Sequence, residues 1–148
     1  LYSFLWTAYH FLKLSLYYCE KKVKHPARYF LPVLTWLILI TILLTLPGSA
    51  FPKANWLDKI WLDKWIHVGL FSLLQFNLTW SAYKFNNKQL RVSTLIWLTI
   101  GSITYGIAME FVQKFWVPNR SFDTGDIIAD TAGAIIGAVY AWRRFIKK

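Results

Sequence analysis

The chain has 148 residues, enough for one domain, and 56% of them are hydrophobic against 16% charged, too few charges for an ordinary water-soluble surface. A mean hydropathy of +0.36 excludes disorder, and the single cysteine, Cys19, excludes an internal disulfide framework and a Cys-based zinc site. The net charge of +10 would suggest nucleic acid in a soluble protein, but these basic residues flank long apolar stretches, so anionic lipid headgroups are the expected counter-charge and no nucleic-acid partner is expected.

Residues 1–18 carry Leu1, Phe4, Leu5, Ala8, Leu12 and Leu16 opposite a narrow polar stripe of Ser3, Thr7, His10, Lys13 and Tyr17. This spacing predicts an amphipathic helix lying at the cytoplasmic interface in preference to a fifth span. A signal peptide is not expected, because Glu20, Lys21, Lys22 and Lys24 follow this apolar stretch instead of preceding it. Residues 1–28 are therefore read as an interfacial helix and basic linker, and residues 29–148 as a membrane domain. The first span is expected from Tyr29 to Leu46, with Pro32 in its opening turn and Pro47-Gly48 at its end. Trp56, Leu57, Ile60, Trp61 and Trp65 then predict a short outer interfacial segment, followed directly by a span over 65–83. The third span is expected over 92–111. The fourth, rich in Gly and Ala, is expected over 127–142, closed by Arg143 and Arg144. The predicted fold class is an all-α integral membrane protein with a four-helix transmembrane bundle.

Short cytoplasmic loops carry the excess of Lys and Arg. With four spans, the side that holds both termini has twelve basic residues and one acid, Glu20, while the other side has five basic residues and six acids. Both termini are accordingly expected in the cytoplasm, and the polar residues of interest at the outer face.

Ionisable groups at membrane depth are costly and mark candidate functional sites. Asp63 and His67 share a helix face at the head of span two, with Lys64 three residues before His67. Glu110 and Gln113 lie one turn apart at the outer end of span three. Arg120 precedes Asp123, Asp126 and Asp130, whose spacing makes one stripe if the helix begins near Phe122, and Gly133 and Gly137 continue that stripe. These stripes are satisfied by facing one another, which predicts a polar cluster between helices two, three and four. Three roles stay open on the residues alone. Arg120 could neutralise one or two Asp residues and Lys64 could neutralise Glu110, fixing helix register. Arg120 and Lys64 could instead hold an anionic ligand. Finally, His67 or Glu110 could act as acid or base while Asp123, Asp126 and Asp130 hold a divalent cation such as Mg or Mn. Gln75 and Asn77 inside span two are expected to make interhelical hydrogen bonds.

The pattern Asp63-Lys64-x-x-His67-x-x-x-Phe71, then Glu110-x-x-Gln113, then Arg120-x-x-Asp123-x-x-Asp126-x-x-x-Asp130-x-x-Gly133-x-x-x-Gly137 resembles the VanZ-like family of small bacterial membrane proteins. The resemblance covers residues 30–145. It implies a protein of the cytoplasmic membrane and cell envelope, whose naming member gives low-level resistance to the glycopeptide teicoplanin. The expected partners are membrane lipids and a lipid-linked envelope precursor or lipoglycopeptide. The family often has Asn where this chain has Asp130, so an extra acid enters the cluster. Two functions follow as expectations: a non-enzymatic envelope protein that binds a lipid-linked or lipopeptide ligand, and a metal-assisted intramembrane enzyme acting on a lipid headgroup or lipid-linked precursor.

Overall fold

The computed structural model describes residues 26–47 and 61–147, and among them the chain is entirely helical. A 3-10 turn, Pro26–Phe30, leads into α1, Leu31–Thr45; α2 covers Leu62–Phe85, α3 Val92–Trp116 and α4 Thr124–Phe145. The expected N-terminal amphipathic helix and most of the outer interfacial segment, through Ile60, lie outside the described residues. The last three helices overrun their apolar stretches. α2 starts three residues early at Leu62, α3 continues five residues past Phe111, and α4 starts three early at Thr124. The extra turns carry Asp63, Lys64, Gln113 and Asp126, polar residues that apolar length alone does not capture.

Pro32 sits in the opening turn of α1, where its missing N–H costs no helical bond, and the helix stops before Pro47. Of its fifteen residues only Val33, Ile40 and Leu44 are buried, and Leu31, Leu34, Ile38 and Ile42 are each more than half exposed. Such a face suits lipid, where every polar group must be satisfied within the protein. The threonines comply: Thr35, Thr41 and Thr45 each donate to a carbonyl one turn earlier, at 2.9, 2.7 and 2.7 Å. Among the described residues, two stretches, Arg28–Thr45 and Val92–Trp116, are long and apolar enough to cross a membrane.

Neighbours along the chain run in opposite directions. Tyr29 accepts from Ser81 through its carbonyl, and Trp36 Nε1 donates to Leu70 O at 3.0 Å, so α1 and α2 are antiparallel. α2 and α4 run parallel: Gly133 lies against Val68 and Gly137 against Ser72. At these two positions a Cβ would lie 2.4 Å from the Val68 and Ser72 carbonyl oxygens, so only glycine permits the approach. Ser72 Oγ donates to Gly133 O at 3.0 Å across the same contact. A small core of Ile40, Leu44, Leu70, Phe71, Leu74 and Met109 joins α1, α2 and α3. Thr41 and Tyr105 share a hydroxyl hydrogen bond of 2.8 Å, and Gln113 Nε2 donates to Leu44 O at 2.9 Å. As expected of Gln75, its Nε2 bridges helices by donating to Thr99 Oγ1 at 3.0 Å. All these contacts bring the first turns of α2 and α4 and the last turns of α3 to one end of the bundle.

Candidate functional site

At that end, Asp123 caps α4. Its extended backbone lets Oδ1 accept from the Gly125 N–H at 2.7 Å, which satisfies one of the donors every helix start leaves open. Its own N–H donates to Glu110 Oε2 at 3.0 Å, so a buried carboxylate of α3 holds the start of α4. Lys64 reaches across from the first turn of α2. Its ammonium donates to Asp123 Oδ2 and Asp126 Oδ1 and lies 3.2 Å from Asp63 Oδ2. The Lys64 ammonium, with the Gly125 N–H, holds the Asp123 carboxyl below the usual carboxylate range.

One turn deeper, His67 Nδ1 is 2.8 Å from Asp130 Oδ1, and its Nε2 is 3.9 Å from Asp126 Oδ2. His67 Nδ1 and Asp130 share this hydrogen bond, which leaves Nε2 turned toward Asp126. His67, Glu110, Asp126 and Asp130 are all buried, whereas the Asp63 and Asp123 side chains are 63% and 46% exposed and form the rim. The other Asp130 oxygen, Oδ2, is buried with no hydrogen-bond partner, against Gly106 of α3. A Cβ at Gly106 would lie 2.7 Å from that oxygen, so the glycine makes room for the acid.

Of the nine residues singled out in the sequence, Asp63, Lys64, His67, Glu110, Asp123, Asp126 and Asp130 form one connected cluster. Gln113, buried one turn from Glu110, points to the end of α1 and ties it to α3. Arg120 is half-buried in the α3–α4 loop, and the ammonium that reaches Asp123 and Asp126 belongs to Lys64. Lys64 thus engages three aspartates, where the register reading paired it with Glu110. The acids that converge closely enough to share a cation are Asp63, Asp123 and Asp126, whose ligand oxygens lie within 4.8 Å of one another, while Asp130 is turned to His67. Three carboxylates suit a hard cation, and here the Lys64 ammonium sits among them.

A groove beside the cluster was not foreseen from the sequence. Trp61, Trp65 and Val68 form one wall and Ile128, Ala129 and Ala132 the other, with Lys64 and Gly125 at its polar end. The sequence signal was the run of small residues Gly125, Ala129 and Ala132 at helical spacing, one stripe away from the Asp residues.

The family model described as VanZ/LLP1 matches residues 1–146, reaching further toward the N-terminus than the motifs that carried the resemblance. A search of curated proteins and a search of solved structures each returned no match.

Proposed function

We propose, from the premise that this chain belongs to the VanZ/LLP1 family, that its polar cluster faces the outside of the bacterial cytoplasmic membrane and holds a lipid-linked or lipopeptide ligand. Family and apolar helices together make it a membrane protein. At 1.5 Å per residue, α2 and α4 reach about 36 and 33 Å, enough for a hydrocarbon core of about 30 Å, and their inward polar stripes account for their lower hydropathy. The alternating helix directions support four passes. The excess of Lys and Arg at the end opposite the cluster supports cytoplasmic termini, and there Lys84 and Lys147 lie over Trp80 and Trp142 at 5.7 and 5.4 Å. Single cysteines at Ser121 and Asn87 in a Cys19→Ser background test this orientation. A membrane-impermeant maleimide applied to intact spheroplasts is expected to label position 121 and spare position 87, and the reverse pattern overturns the topology.

The observation that carries the ligand-binding reading is the convergence of seven polar side chains at one end of the bundle, beside an apolar groove. Register pairing alone accounts for Lys64 and the aspartates but not for a groove that opens next to them. Expressed in a susceptible host, the protein is expected to raise the teicoplanin concentration that stops growth, and Asp126→Asn to abolish the effect at unchanged membrane level. Unaltered resistance in that variant removes the cluster from the function.

One observation favours a second reading, an intramembrane enzyme on a lipid headgroup or lipid-linked precursor. His67 is oriented by Asp130 through Nδ1 and aims Nε2 toward Asp126, an arrangement suited to a general acid or base. Envelope lipids chemically altered by the wild type and not by His67→Gln would favour it, and unaltered lipids with retained resistance favour binding.

A further inference from the structure

We propose that the groove between α2 and α4 takes an acyl chain of a membrane lipid whose headgroup carries an ammonium, with that ammonium bound by Asp63 and Asp123. This rests on the reading that the cluster lies at a membrane surface and holds a lipid-type ligand, and it names the charge of that ligand. The groove has a volume of about 490 Å³, within the range of small-molecule sites. Its walls are mostly apolar, and the exposed rings of Trp61 and Trp65 and the exposed Ile128 place it at a face directed away from the core.

The polar end decides the headgroup. Among the described residues Lys64 is the only cation lining the groove, and its ammonium is already engaged by Asp63, Asp123 and Asp126. Among the described residues, three carboxylates against one ammonium leave the polar end of the groove negative. An anionic headgroup would have to displace carboxylates from Lys64, whereas an ammonium finds two of them, Asp63 and Asp123, about half exposed and joined to the groove through Lys64. Asp123 is linked to the groove directly, because it caps Gly125 and bonds Lys64, which both line it. The faces of Trp61 and Trp65 add a surface that attracts cations.

Native mass spectrometry of the full chain in detergent, titrated with dioleoyl phosphatidylethanolamine or dioleoyl phosphatidylglycerol, tests this with matched acyl chains. The ethanolamine lipid is expected to bind about fivefold more tightly, the scale of a partly exposed ion pair. Asp63→Asn combined with Asp123→Asn is expected to bring it down to the glycerol lipid. Asn retains helix capping, so this variant should stay folded. Ala132→Phe is expected to fill the groove and remove both lipids, and Ile128→Ser to weaken both if the larger substitution fails to fold. Equal binding of the two lipids, with loss of both on filling the groove, overturns the ammonium assignment and leaves the ligand-binding reading standing. Preference for the glycerol lipid overturns it in favour of Lys64. A dimer that the groove variants dissociate makes a second copy of the chain the occupant and overturns it as well. No bound lipid of either kind removes both this inference and the reading beneath it.

Discussion

Replacing Lys64 by Met is expected to destabilise the protein by about 2 kcal/mol and to make its melting temperature depend on divalent cations. The side chain is 18% exposed, so its three contacts fall between surface ion pairs worth about 1 kcal/mol or less and buried ones whose breakage costs about 3–5 kcal/mol. Met keeps much of the aliphatic stem and removes only the charge. Asp63, Asp123 and Asp126 would then face one another with oxygens within 4.8 Å and no ammonium between them. Mg, Mn or Ca can take its place, and at tenfold over its dissociation constant would restore about 1.4 kcal/mol, or about 4–5 °C. The wild type, with its site filled by Lys64, is expected to shift little.

Acid titration gives the same variant a second readout. The Asp123 carboxyl is held below its ordinary value in the folded protein, so the stability it contributes is present above the unfolded carboxylate pKa of about 4 and is lost as pH falls through the lower folded value. Without Lys64 that folded value rises and the contribution shrinks. The stability gap between wild type and variant should therefore close as pH drops below about 4. A variant as stable as wild type at neutral pH, with no response to any divalent cation, would falsify the central role given to Lys64.

The faces of the cluster were legible because helical spacing alone decides them. Asp63 with His67, Glu110 with Gln113, and Asp126 with Asp130 are each one turn apart, and polar side chains in an apolar setting must turn toward one another. The pairing within the cluster was not legible, because it depends on how far one helix is slid along its neighbour. Here Gly133 against Val68 and Gly137 against Ser72 set that register, and with α2 and α4 parallel, each step deeper on one helix meets a step deeper on the other. Lys64 therefore meets Asp123 and Asp126, and His67 meets Asp130. A sequence reading that groups Asp130 with Asp123 and Asp126 sees the shared face but not the histidine opposite. The two polar ends of α2 and α4 were underestimated for a related reason: apolar length marks only the apolar stretch, while the hydrogen-bonded helix continues beyond it through Asp63 and Asp126.

The same register makes Gly133→Ala the substitution expected to do most damage for its size. Its added Cβ would stand 2.4 Å from the Val68 carbonyl oxygen and 3.0 Å from the Val68 Cα, so the obstacle is backbone and no side chain can swing aside. α2 and α4 would have to separate, weakening the Ser72–Gly133 hydrogen bond and drawing His67 and Lys64 away from their aspartates. Overpacking of this kind costs about 1–3 kcal/mol in cores that can relax, and the rigid backbone contact puts this case at about 3 kcal/mol. Gly137→Ala meets the Ser72 carbonyl at the same distance and should behave alike. Gly69 and Gly101 supply the control, since a Cβ at either meets nothing within 4 Å. Ala there is expected to be neutral or to stabilise by up to about 1 kcal/mol through its better helix propensity. Thermal unfolding of the four variants in one detergent separates steric register from a general effect of losing glycine. Equal melting temperatures for Gly133→Ala and Gly101→Ala would mean that α2 and α4 do not meet at this contact, and the pairing of His67 with Asp130 would lose its structural basis.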